Sequence, residues 1–142
     1  MRHQWPSVAA MPLGFWRWPH VSPTTEWADH ADGSIGVETD FLDRFEGLRA
    51  QVGFALPITS GYRSPAHNAA VSTTGDDGPH VLARAADIRV YGVRAFQVIA
   101  AAIACGFTGI GVQQKGDQGQ RYVHVDDLPE APGRPRPTVW TY

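Results

Sequence analysis

The chain of 142 residues predicts an α+β fold, with helices packed on a small, mostly antiparallel sheet. Two segments, 39–52 and the run containing Phe96 and Ile103, repeat apolar residues at helical spacing. Four short runs, at 56–60, 85–90, 109–113 and 120–125, have strand character and lie between turn signals. The last two are joined by a polar loop containing Lys115-Gly116-Asp117, as in a hairpin.

Residues 1–21 carry Trp5, Trp16 and Trp18 with three prolines and no periodicity, which reads as an extended, aromatic-anchored lead-in. Ser22-Pro23 pairs a hydroxyl cap with proline in the first turn and opens a short helix to about Ala28. Asp32-Gly33-Ser34, with Gly36 after it, is turn chemistry. Phe41, Phe45, Leu48 and Val52 then fall on one helical face, and Gly53 closes that helix. Leu56–Ser60 reads as a short strand, placed at an edge or strand start by Pro57, which has no N–H to donate. A turn-rich loop at 72–79 leads to the strand Ala85–Val90. Phe96, Ile99, Ala100 and Ile103 mark the face of a second helix, stopped by Gly106. The final residues, 128–142, hold four prolines and end in Val139-Trp140-Thr141-Tyr142, an extended tail with an aromatic clamp. There is no internal repeat, and the whole of 1–142 reads as one domain.

Composition narrows the function classes. A formal charge of -2 supplies no basic excess to neutralise phosphates, so nucleic acid is not an expected partner. No apolar run approaches the roughly 18 residues of a membrane span, and the N-terminus lacks the apolar stretch of a secretory signal. The single cysteine, Cys105, excludes an internal disulfide and a multi-cysteine metal site. At the end of an apolar helical run, it is expected to be a buried structural thiol.

Three segments carry chemistry: Ser60-Gly61-Tyr62-Arg63-Ser64-Pro65-Ala66-His67-Asn68, then His80 with Asp87, then Tyr122-Val123-His124-Val125-Asp126. A hydrolytic zinc site takes three His or carboxylate ligands and leaves a fourth position for water. His80, Asp87 and His124 supply such a set. Strand alternation turns His124 away from Val123 and Val125, to the face shared by Tyr122 and Asp126. Taken singly, each residue also has a plainer reading. A strand histidine is commonly hydrogen-bonded structure, and Asp87 has Arg84 and Arg89 nearby as possible ion-pair partners. The ordered combination is what points to a metal.

From about Val21 to the end, the chain resembles the zinc D-alanyl-D-alanine carboxypeptidases, in particular small single-domain members from phages and bacteria. The resemblance rests on Ser22-Pro23, the helix 39–52 with Gly53, Ser60-Gly61-Tyr62-Arg63-Ser64-Pro65 with His67-Asn68, and His80 through Ile88. It continues through Gly109-Ile110-Gly111-Val112, His124-Val125-Asp126 and the closing Arg-Pro-Arg-Pro with Trp-x-Tyr. It implies the fold shared with lysostaphin-type endopeptidases and the Hedgehog signalling domain. It also implies Zn2+ bound by His80, Asp87 and His124, with Arg63 facing the scissile carbonyl. His67 is expected to pack or touch substrate and not to bind metal. The implied activity is hydrolysis of peptidoglycan stem peptides, as carboxypeptidase or endopeptidase, by a monomer. A non-catalytic, zinc-stabilised module of a phage particle or surface assembly is the alternative. Without a secretory signal, a route to the cell wall would depend on another component.

Two positions depart from the family pattern. Gly78 stands where relatives carry Ser, and Ala83 where they carry Gly. The catalytic base is also displaced, because Arg121 and Tyr122 occupy the positions where relatives place Glu or His. Asp126 is the nearest carboxylate on the His124 face. It is a candidate base and equally a candidate for orienting His124.

Overall fold

A computed structural model describes residues 2–75 and 77–142. Its main sheet has five strands: β3 (Ile58–Ser60), β4 (Ala85–Arg89), β5 (Gly109–Gln113), β6 (Tyr122–Asp126) and β7 (Thr138–Thr141). Their spatial order is β3-β4-β6-β5-β7, antiparallel throughout except for the β5–β7 pair. A second, two-stranded sheet pairs β1 (Arg2–Trp5) with β2 (Ile35–Glu38). Three α-helices, α1 (Thr39–Val52), α2 (Pro65–Val71) and α3 (Gly92–Ala104), complete the α+β fold expected from the sequence. Among the described residues no helix is long and apolar enough to cross a membrane.

Helix α1 follows its predicted face. Phe41, Phe45 and Leu48 are buried together with Leu42, and Gly53 ends the helix in the left-handed region at φ 76°. Glycine carries no Cβ penalty there, so it is the natural stop. Ser22 caps the turn that follows it by accepting from the Thr25 N–H at 3.1 Å, but the turn, Pro23–Trp27, is π-helical and not a regular helix. Trp27 from this turn and Trp18 from the lead-in are both buried in the core beside Phe41 and Phe45.

Several expectations need correction. The lead-in is not merely extended, because its first residues form β1 against β2, with His3 opposite Val37. Turn chemistry around Gly36 hid that strand. A Cβ at residue 36 would come within 2.7 Å of the Tyr62 ring, so glycine serves close packing there and not a bend. Helix α3 buries Ala95, Val98, Ala101 and Ala102, while Phe96 and Ile103 are exposed, at 74% and 57%. Small side chains allow close approach to α1 and β6, which outweighs the area that the larger residues would bury. Cys105 is half-buried, its thiol donating to Gln51 Oε1 at 3.2 Å. The C-terminal tail is not free but adds β7 to the sheet edge, beside β5.

Alternation along the strands sorts the two faces. Ala86, Ile88, Val123, Val125 and Ile110 belong to the core. The opposite face carries one row of residues in register across the sheet: Ser60, Asp87, His124, Gly111 and Trp140. Directly opposed residues share a face, so the sheet brings these side chains together from five separate stretches of sequence.

Candidate metal centre

His80 rides on the compact turn 78–84. The turn is tied by Leu82 N–H to Gly78 O at 3.1 Å, Ala83 N–H to His80 O at 3.1 Å and Arg84 N–H to Pro79 O at 3.0 Å. It passes through Ala83 at φ 57°, the single non-glycine in the left-handed region among the described residues. Glycine is the residue this conformation favours. Alanine accepts the conformation at a cost of about 1–2 kcal/mol and recovers part of it by burying its methyl. The other departure is also steric. A Cβ at Gly78 would overlap the Thr74 side chain, lying 2.6 Å from its Cβ, so a serine would push the 72–75 loop away.

The imidazole of His80 is buried, and its Nδ1 lies 2.7 Å from the Gly61 carbonyl, which can only accept. This bond places the proton on Nδ1 and leaves the Nε2 lone pair aimed at Asp87 Oδ1, 3.4 Å away. His124 is arranged in the same way. Its Nε2 is 2.8 Å from Asp126 Oδ2, and its Nδ1 is 3.0 Å from Asp87 Oδ1. One donor atom from each of His80, Asp87 and His124 lies within 4.8 Å of the others. When both histidines are neutral, three acceptors converge with no proton among them, a geometry that calls for a cation. A set of two imidazoles and one carboxylate, each imidazole oriented from behind by an oxygen, suits zinc.

The electrostatics agree. Burial pushes His80 below the ordinary histidine pKa and keeps it in its neutral, ligating form. Burial alone would raise Asp87, but His80 and His124 outweigh it and hold the carboxyl well below the usual range. Burial opposes charge on His124 as well, yet Asp126 and Asp87 on its two sides raise its pKa.

Asp126 sits behind this centre with no exposed surface. Both of its oxygens are engaged, Oδ2 by His124 and by Arg136 at 2.8 Å, and Oδ1 by Arg136 Nε at 2.9 Å. Burial would raise its pKa, but His124 and Arg136 prevail and lower it. Gly109 lies opposite Asp126 in register, and a Cβ there would collide with the carboxylate. Gly111, opposite His124, leaves room for the Trp140 ring, whose centroid is 5.1 Å from the His124 ring.

Arg63 is held on the wall of the cleft. Nε donates to Ser60 Oγ at 3.0 Å, NH1 to Asn68 Oδ1 at 3.2 Å and NH2 to Asp87 Oδ2 at 3.4 Å. Arg84 pairs with Asp127 and Glu38, which leaves Asp87 to the metal centre. The cleft has a volume of about 700 Å3 and is lined by Arg63, His80, Asp87, Tyr122, His124 and Trp140, with the segment 131–136 on one side. Asp126 does not line it. His67 lies on α2, its Nδ1 3.0 Å from Asp29 Oδ2, and does not line the cleft either.

Four supporting residues escaped the reading of the sequence. Gly61 supplies the carbonyl behind His80, and Asn68 holds Arg63. Arg136 clamps Asp126, and buried Asp29 accepts the Ser64 N–H at 2.6 Å, which anchors the start of α2. Asp29 had no signal, Gly61 and Asn68 lay in the motif Ser60–Asn68 without a supporting role, and Arg136 lay in the closing Arg-Pro-Arg-Pro. Its carboxylate partner is ten residues away and is found only through the sheet.

No curated protein and no solved structure matches the chain. The family model of peptidase M15, a family of zinc metallopeptidases, matches residues 21–126, a span that contains every proposed metal ligand. By that match the chain belongs to the peptidase M15 family.

Proposed function

We infer that this chain hydrolyses peptide bonds of peptidoglycan stem peptides, with zinc held by His80, Asp87 and His124. The observation that carries this reading is the convergence of three acceptor atoms on the wall of a cleft that also contains Arg63. Zinc bound there supplies Lewis acidity, polarising a carbonyl and acidifying water toward a pKa of about 7. The chain itself supplies orientation and charge. Ser60 and Asn68 immobilise Arg63, so its guanidinium is preorganised to meet the negative charge that develops on a carbonyl oxygen. Asp126 keeps the proton of His124 on Nε2 and its lone pair on Nδ1, which supports a positioning role and not proton transfer in the cleft. Tyr122, two residues before His124 on the same strand face, presents a phenol to the cleft.

Purified sacculi test the reading. Release of D-alanine, or of new amino groups, should require zinc and stop with a chelator. The second reading, a zinc-stabilised module without activity, is favoured by the full engagement of Asp126. It would be adopted if the zinc-loaded chain released neither product.

A further inference from the structure

Between β6 and β7 the chain forms a strap, residues 127–137, rich in proline and outside the span matched by the family model. Both ends of the strap are fastened to Asp126. Leu128 N–H approaches Oδ1 at 3.4 Å, and Arg136 grips both oxygens at 2.8–2.9 Å. Leu128 is buried, and its carbonyl accepts from Thr108 Oγ1 at 2.6 Å. At the tip, Ala131-Pro132-Gly133-Arg134 closes a tight turn, with Arg134 N–H to Ala131 O at 2.9 Å and Ala131 N–H to Arg134 O at 3.1 Å. Proline in second place and Gly133 at φ 71° in third are what a type II turn requires. The strap is therefore a stiff wall whose position is tied to the carboxylate that orients His124.

Three arginines line the cleft, and two are committed. Arg63 is bonded to Ser60, Asn68 and Asp87, and Arg136 to Asp126. Arg134 differs. Its Nε donates to the Pro129 carbonyl at 3.2 Å, which fixes the direction of the side chain, while its two terminal nitrogens have no partner among the described residues. It is half-buried and has no ion pair among the described residues. A guanidinium in the lining of the cleft, held by its Nε and with both terminal nitrogens unpartnered among the described residues, matches the two oxygens of a carboxylate.

We propose that Arg134 receives the terminal carboxylate of a peptide bound at the metal centre, so that the cleft selects chains ending in a free carboxylate over internal bonds. This rests on the peptidase reading and deepens it, since it places the chain with carboxypeptidases and not endopeptidases.

The test uses the full zinc-loaded chain and an N-acetylated tripeptide ending in D-Ala-D-Ala, as the free acid and as its C-terminal amide. Binding is measured by calorimetry and cleavage by D-alanine or D-alaninamide release. The acid should bind about ten- to a hundred-fold more tightly than the amide, the range of a charge-assisted hydrogen-bonded pair. Arg134→Gln should remove that preference by weakening the acid alone, with zinc content and circular dichroism unchanged. Arg134→Lys should restore part of it. Equal affinity for the two peptides, including no detectable binding of either, overturns the proposal, as does a preference that survives Arg134→Gln. Preference without cleavage supports the role of Arg134 and defeats the peptidase reading. Cleavage of both peptides without preference does the reverse.

Discussion

Arg63 and Asp126 both touch the metal-binding set and are expected to fail differently when changed. Arg63→Ala removes a cation 3.4 Å from a ligand carboxylate, so zinc affinity should not fall. Turnover on a D-Ala-D-Ala peptide should nevertheless drop by about 10²-fold or more, because the oxyanion exists only in the transition state. Steady-state kinetics beside elemental analysis checks this, and wild-type turnover with an intact fold would make Arg63 a structural residue. Asp126→Asn keeps the size of the side chain but loses the charge that holds the His124 tautomer and satisfies Arg136. Zinc affinity should weaken by about 10–100-fold along with turnover. A variant with full zinc affinity and collapsed turnover would instead identify Asp126 as the base.

At the scale of elements, the site depends on strands that contribute no ligand. Strand β5 offers glycine at 109 and 111, opposite Asp126 and His124, and the carboxylate occupies the space of the missing Cβ. Gly109→Ala should therefore displace Asp126 and weaken zinc binding, although no ligand and no charge has been altered. Competition with a fluorescent chelator measures it, and unchanged affinity would mean that the sheet relaxes around the methyl. The turn 78–84 is the complementary case. The turn-rich loop 72–79 that leads into it is legible in the sequence, but the presentation of His80 depends on backbone bonds among residues 78–84 and on the carbonyl of Gly61, the residue after β3.

At the scale of the molecule, metal and fold are coupled. Three acceptors facing one another are an unfavourable arrangement without a cation, so chelation should lower the melting temperature. At free zinc about a thousand times Kd, the stabilisation is about 4 kcal/mol. His124→Ala should abolish most of the difference between zinc-loaded and chelated protein in a thermal scan. Full zinc occupancy in that variant would sink the assignment of ligands. Acid stability has another source. Burial alone would raise the Asp29 pKa, but the Ser64, Asp32 and Ala31 N–H groups and His67 bring it down from 3.8 to about 2. A depressed carboxylate stabilises above its unfolded value and loses that contribution as pH falls through its folded value. Asp29→Asn should thus cost roughly 2 kcal/mol near neutral pH, with the gap to wild type closing between about pH 4 and pH 2. Urea unfolding across that range measures it, and a gap independent of pH would assign the loss to packing.

The sequence by itself determined the fold class, helix α1 with its glycine stop, four strands of the main sheet and the ordered set of His80, Asp87 and His124. These are legible because periodicity, caps and residue chemistry are local properties, and because the order of the motifs resembles a known family. The tertiary structure alone decided the rest. It buried the alanine face of α3 in place of Phe96 and Ile103, since close approach depends on a neighbour that no local pattern contains. It joined residues 2–5 to residues 35–38, and it folded the C-terminal tail into β7 beside β5. It also drew Arg136 onto Asp126 and placed Arg134 in the lining of the cleft. Both arginines belong to one Arg-Pro-Arg-Pro stretch, and only the sheet register and the turn at Gly133 distinguish what each of them meets.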